Sequence, residues 1–297
     1  MIIVKLKGGM GNQMFQYAFA RSLASKYNVD FKLDVSHFWD HKSLKEVPRE
    51  YGLHKFNIIE KIASKNEISK YVLFTDPPKN TAEIYIKKIV NKIYKRLNAK
   101  YVIEPDVDKY NEEVLKEDPA DRYFDGNWIT EKYFTSIRDV IRKDFSFKYE
   151  LPEEAKQIAE YISQVDSVCV HVRRTDFLND VRQISISPED INKGLTYLKK
   201  RDISPVVFVF SDDPKWCREN LMFDYPAIFI SEENAGSDAD VHFQLMRLCH
   251  YFIISVSTFG WWAAWLSTYP NKVVLHPHNY NSTDWSAEGW IDLSTLK

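Results

Sequence analysis

Four short apolar runs recur between residues 167 and 276 with helical stretches between them, and no other feature of this chain constrains its fold as tightly. SVCVHV (167–172), VVFVF (206–210), YFIIS (251–255) and KVVLH (272–276) read as strands, and helical patterns cover about 188–201, 213–220, 240–250 and 260–268. Strands buried on both faces read as near-continuous apolar runs. Separated by helices at this spacing, they join through right-handed crossovers into a parallel sheet. The C-terminal half is therefore expected to be Rossmann-like.

The N-terminal half opens with the same grammar. MIIVKL is a short strand, KGGMGNQ a glycine turn, Asn12 to Tyr27 a helix, and DFKLD a second strand ending at Asp34. At 297 residues the chain is long for one domain, and a prior of roughly 150 residues per domain suggests two. The expectation is an α/β domain over 1–155 and a second over 156–297. The glycine turn meets neither familiar nucleotide motif: Met14 stands where a dinucleotide fingerprint has its third glycine, and no Gly-Lys-Ser/Thr follows to make a P-loop. Asn12 and Gln13 at the helix start are still expected to point donors into whatever faces this strand end.

Function classes narrow by exclusion. A formal charge of −2 offers no electrostatic footprint for nucleic acid. Aromatic residues make up 14% of the chain, a composition that suits a glycan-lined cleft and also suits cores. Cys169, Cys217 and Cys249 are odd in number and far apart, and read as reduced thiols in a cytoplasmic protein. No cysteine pair has zinc spacing, no HExxH is present and no signal peptide is seen. Residues 251–270 carry no charge, a length that could span a bilayer, but SVSTFG reads better as a strand, turn and helix start. Residues 84–97, IYIKKIVNKIYKRL, place Ile86, Ile89, Val90, Ile93 and Leu97 on one helical face and the basic residues largely off it. That pattern fits a core-packed helix with a solvated basic face, or a helix making peripheral contact with an anionic membrane.

Ligands of open parallel sheets bind beyond the carboxyl ends of the strands, where helix N-termini converge. Three successive strand ends here carry polar clusters: Arg173, Arg174 and Asp176; Ser211, Asp212 and Asp213; and Ser255, Ser257, Thr258 and Gly260. Paired arginines suit phosphate oxygens and a departing diphosphate, the hydroxyls can join backbone N–H groups there, and Asp212 can accept from ribose or base. Each cluster also has a plain structural reading. The arginines can be a solvated pair or an ion pair, SDDP an N-cap followed by Pro214, and STFG a cap on a buried helix. SDAD (237–240) contains the acid pair with which some sugar transferases hold a metal, and fits a helix cap better.

At this point the residues resemble the bacterial α-1,2-fucosyltransferases of glycosyltransferase family eleven. The matching stretches are GGMGNQMFQYAFARSLA, GNWITEKYF (126–134), HVRRTDF (171–177), VFSDDPKWCREN (209–220) and STFGWWAAWL (257–266), and they span nearly the whole chain. The resemblance implies an α/β, GT-B-like fold of two Rossmann-like domains with a cleft between them. It implies a metal-independent, inverting enzyme that moves fucose from GDP-fucose to the 2-hydroxyl of a galactose-type sugar, in an oligosaccharide that is free or lipid-linked, as in O-antigen biosynthesis. By the same resemblance Arg173 holds the diphosphate and assists its departure, with His171 and Arg174 beside it. Asp212, Ser257, Thr258 and Phe259 are donor-site positions, and Gly11, Asn12 and Gln13 face the sugar diphosphate from the N-terminal loop. Asp176 is the candidate base for the acceptor hydroxyl, or a carboxylate that only orients the arginines. Two positions depart from the family pattern: His242 replaces an aspartate, and QISIS stands where a His-Gly pair is usual. A related transferase with another donor sugar or linkage, and a non-catalytic nucleotide-sugar or glycan-binding protein, are the competing readings.

Overall fold

The computed structural model describes residues 1–38, 49–73, 81–106, 109–116, 118–175, 185–236, 238–279, 282 and 284–296. It divides into two compact units, Met1–Lys148 and Tyr149–Lys297. The boundary expected at 155/156 would cut through the helix Glu153–Gln164, which begins the second unit.

The first unit is built on a parallel sheet of order β2-β1-β4-β3, formed by β1 (Ile2–Lys5), β2 (Phe31–Asp34), β3 (Tyr101–Ile103) and β4 (Arg122–Asp125). Its main helix, α1 (Met10–Tyr27), connects β1 to β2 and is buried over most of its length. A helix hidden all round needs apolar partners on more than the sheet side. The GNWITEKYF stretch supplies them: Trp128 stacks on Phe19 with ring centroids 4.1 Å apart and planes 4° from parallel, and Tyr133 meets Phe19 edge-on at 5.2 Å. Polar anchors finish the packing, with the Tyr17 hydroxyl donating to Asp144 at 2.7 Å and Arg21 pairing with the same carboxylate at 3.1 Å.

After a short helical turn α2 (Lys65–Ile68), α3 (Thr81–Leu97) runs to the edge strand β3. Its apolar face is not core-packed, which corrects the first of the two sequence readings. Ile86, Ile89, Ile93 and Leu97 are all more than half exposed. Helix α4 (Arg138–Asp144) closes the unit.

The second unit carries β5 (Asp166–Val172), β6 (Pro205–Ser211), β7 (Ala227–Phe229), β8 (Tyr251–Ile254), β9 (Val273–His276) and β10 (Ile291–Asp292) in the order β10-β9-β8-β5-β6-β7. Every recorded pairing is parallel. Helices α5 (Glu153–Gln164), α6 (Pro188–Lys199), α7 (Pro214–Asn220), α8 (Glu232–Ala235), α9 (Ala239–Leu248) and α10 (Thr258–Leu266) connect or flank the strands. The apolar residues of β5 and β6 face a core that includes Val168, Val170, Val207, Val209, Ile253 and Leu275. Cys169, Cys217 and Cys249 are buried free thiols.

Residues 251–270 form strand, turn and helix. No helix among the described residues is long and apolar enough to cross a membrane. At the far end of α10 the Lys272 ammonium donates to the carbonyls of Ala264, Trp265 and Ser267 at 2.8–3.1 Å. A cation there satisfies orphan carbonyls and favours the negative end of the helix dipole.

Candidate functional site

The strand order decides where chemistry belongs in the second unit. From β5 the chain proceeds outward on one side through β6 and β7, and on the other through β8, β9 and β10. The reversal falls between β5 and β8, and ligands of open parallel sheets bind at the carboxyl ends beside such a switch point. The turn after β5 carries Arg173 and Arg174; the turn after β8 carries Ser255 and leads into α10.

That turn is tied down from both sides. The Arg173 N–H donates to Ser255 Oγ at 3.0 Å, and the Ser255 hydroxyl donates to the His171 carbonyl at 3.0 Å. From the β6 side, Asp212 accepts the Arg174 N–H at 2.9 Å, the Thr175 N–H at 3.1 Å and the Thr175 hydroxyl. Its carboxylate also lies 3.3 Å from Arg173 Nη1. The sequence suggested Asp212 as an acceptor for ribose or base, whereas here its oxygens brace the arginine turn.

Arg174 is held separately. Its guanidinium lies over the Trp216 ring at 3.6 Å, with Nε 3.5 Å from Asp213. Asp213 is the N-cap of α7, accepting from Trp216 N–H at 3.1 Å, with Pro214 in the first turn. The plain cap reading of SDDP thus holds for Asp213, and the cap also fixes the ring on which Arg174 stacks.

His171, at the end of β5, is buried. Its ring faces Phe259 at 6.0 Å, and its Nδ1 has no hydrogen-bond partner among the described residues. Burial, reinforced by the positive charge of Arg173, lowers its pKa to about 4. The imidazole is therefore neutral at neutral pH. Gly260 makes room for it: a Cβ there would lie 2.6 Å from Nδ1.

Helix α10 starts with Ser257 in extended conformation at the N-cap and no capping bond from its side chain. The first-turn N–H groups of any helix lie outside its internal ladder and favour anions. Thr258 and Phe259 occupy that first turn, and Phe259 packs edge-on against Phe243 at 5.0 Å. Four expected donor-site residues, Arg173, Ser257, Thr258 and Phe259, therefore come from the two strand ends at the switch point. Asp176 lies outside the described residues.

The first unit treats its candidates differently. α1 begins at Met10, earlier than the sequence suggested, and Gly8 adopts φ +75°, a left-handed turn that glycine makes without strain. The Gln13 amide donates to the Gly8 carbonyl at 3.0 Å and the Glu50 carbonyl at 2.9 Å, and accepts from Gly52 N–H at 2.9 Å. Both amide donors are used inside the unit, so Gln13 braces the loop instead of presenting a donor from it. Gln16, which the sequence reading did not single out, does the same for Lys7, accepting from its N–H at 2.9 Å and donating to its carbonyl at 3.3 Å. The signal was available: two glutamines in an otherwise apolar helical face, directly after a glycine turn. Gly11 is buried within α1, and the half-buried Asn12 lies against Gly8.

Within SDAD, Ser237 lies outside the described residues, Asp238 occupies the N-cap position of α9 without a capping bond from its side chain, and Asp240 lies in the first turn. His242, the departure from the family pattern, bonds through Nε2 to the Gly236 carbonyl at 2.8 Å.

Comparison with known proteins adds an independent line. The model of the family described as Glycosyl transferase family 11 matches residues 1–292. An Alpha-1,2-colitosyltransferase of Escherichia coli is 28% identical, with 98% of each chain covered. The O-antigen biosynthesis glycosyltransferase WbnK of Escherichia coli is 27% identical over 97% of this chain and 99% of its own. A Galactoside alpha-(1,2)-fucosyltransferase 1 of Leontocebus fuscicollis is 28% identical over 46% of this chain and 40% of its own. Among solved structures, NodZ alpha-1,6-fucosyltransferase soaked with GDP-fucose aligns with a TM-score of 0.46 at 14% identity, covering 89% of this chain and 92% of that one.

Proposed function

The chain belongs to glycosyl transferase family 11, and from that premise we propose that it is an inverting galactoside α-1,2-L-fucosyltransferase. It moves L-fucose from GDP-fucose to the 2-hydroxyl of a terminal β-galactoside in an oligosaccharide of the O-antigen type. The observation that supports this most directly is the arginine turn after β5, tied by Ser255 and Asp212 beside the N-terminus of α10.

The chemistry asks for such a site. The acceptor oxygen bonds to the anomeric carbon while the bond from that carbon to the diphosphate oxygen breaks, its electron pair leaving with GDP. Positive charge develops on the sugar and negative charge on the departing phosphate. Arg173 and the α10 N-terminus are the groups assigned to that negative charge, with Arg174 as a second cation fixed on Trp216. A neutral His171 adds no competing charge beneath them. The hydroxyl proton goes to a base, and Asp176 keeps that assignment from the sequence. No step in this scheme requires a metal.

The test is GDP release from GDP-fucose across a panel of β-galactosides with EDTA present. Release with particular acceptors is expected; no release, or release abolished by chelation, would count against the reading. Tight GDP binding without turnover on any acceptor would favour a non-catalytic binding protein. One comparison favours a second reading, because a near-full-length relative is named for transfer of colitose in the same α-1,2 sense. Colitose lacks the 3-hydroxyl of fucose, so competition between the two GDP-sugars decides the donor.

A further inference from the structure

Helix α3 (Thr81–Leu97) carries an apolar stripe that the fold leaves in solvent. Tyr85 is 62% exposed, Ile86 and Ile89 60%, Ile93 55% and Leu97 80%. These residues recur at three-, four- and eight-residue spacings and so lie along one side of the helix. Tyr94, off the stripe, reaches the Lys70 carbonyl at 3.5 Å and marks the side turned toward the unit. The same helix contains Lys87, Lys88, Lys92, Lys95 and Arg96 against a single acid, Glu83, a net +4 in a chain whose formal charge is −2. Glu83 is itself paired with Lys87 at 2.8 Å. Lys92, exposed and seven residues after Tyr85, falls at one edge of the stripe by helical spacing.

We propose that α3 docks this protein on an anionic lipid surface, lying in the interface with Tyr85, Ile86, Ile89, Ile93 and Leu97 among the acyl chains and the positive charge of the helix drawn to phosphate headgroups. Contiguous exposed apolar patches rimmed by polar residues mark interaction surfaces. The charge selects the occupant. A second copy of the chain, meeting this helix by a two-fold axis, would set +4 against +4. Nucleic acid would use the lysines but gain nothing from an isoleucine stripe. An anionic bilayer surface uses both, since interfacial helices combine buried apolar area with attraction to acidic lipid. The helix is too short and too charged to span the bilayer, so it lies on the surface. This inference rests on α3 alone and does not depend on the reaction proposed above.

The experiment is sedimentation of the full chain with vesicles of phosphatidylcholine, with and without phosphatidylglycerol, at low and high salt. Binding is expected only to the acidic vesicles, weakening at least about tenfold at high salt. The double variant Ile89→Asp/Ile93→Asp should lose about tenfold or more in vesicle binding while keeping its circular dichroism and its melting temperature. Lys88→Glu/Lys92→Glu should weaken binding to acidic vesicles similarly. Failure to sediment, equal binding to neutral and acidic vesicles, or a dimer seen by light scattering that the isoleucine variant dissolves would each overturn the proposal.

Discussion

Asp212 reaches Arg173 by two routes: its carboxylate lies 3.3 Å from the guanidinium, and it accepts the N–H groups of the two residues that follow Arg173 in the turn. A carboxylate used in this way sets where the cation points. Asp212→Asn replaces one acceptor oxygen with a donor that faces the N–H groups already there. We expect kcat to fall on the order of a hundredfold, because small misplacements of a charged group cost about that much, with a smaller change in KM for the donor. Asp212→Ala should be at least as damaging. A kcat within about twofold of wild type for Asp212→Asn would remove the positioning role.

Gly260 tests the packing beneath the arginines. An alanine Cβ would sit 2.6 Å from His171 Nδ1 in a buried site. Overpacking of this kind costs about 1–3 kcal/mol, so Gly260→Ala should lower the melting temperature and weaken GDP binding together. Calorimetry of GDP binding and a thermal melt check both, and wild-type values in the two measurements would show that the ring has room to move.

His171 makes a pH prediction with a defined sign. Burial, with the Arg173 charge second, lowers its pKa from 6.5 to about 4. Between those values the unfolded chain binds a proton that the folded chain does not. The stability contribution is therefore complete above about pH 6.5 and is lost as pH falls toward 4, by up to about 3 kcal/mol. An imidazole NMR titration, assigned by comparison with His171→Phe, should show the ring neutral down to pH about 5. A titration midpoint near 6.5 would contradict the burial argument.

Gln13 separates a brace from a ligand. Removing its amide leaves the Gly8 and Glu50 carbonyls and the Gly52 N–H without a partner they now have. Gln13→Ala should cost about 2 kcal/mol or more in urea unfolding, since buried polar groups are expensive to orphan. Turnover per folded molecule should stay within about threefold of wild type. Lost turnover in a protein of unchanged stability would make Gln13 a substrate contact instead.

The second unit was readable in advance because β5, β6, β8 and β9 are near-continuous apolar runs with helix-length connections. Three other strands were not. β3 and β7 have three residues each and β4, RYFD, begins and ends on a charge, so none presents the continuous apolar run that marked β8 and β9. Residue type placed Arg173, Asp212 and Thr258 at strand ends, but a carboxylate after a strand looks the same whether it faces a ligand or a backbone. Asp212 spends its oxygens on the turn, a choice set by the fold and not by residue type. The stripe on α3 had the same ambiguity: spacing says that a face exists, and not what covers it. The GNWITEKYF stretch resembled the family's pattern without any stated role; its Trp128 and Tyr133 pack on Phe19 of α1.

The most direct measurement is NMR linkage analysis of the product formed from GDP-fucose and a β-galactoside, run in parallel with Arg173→Ala. Wild-type protein should yield an α-1,2-linked fucosyl galactoside, with GDP released in equal amount. Arg173→Ala should keep its fold by circular dichroism and lose about 10²–10³-fold in kcat, the usual cost of removing a group that meets developing charge. A product of another linkage, no product with any β-galactoside, or near-normal turnover by Arg173→Ala would contradict the assignment.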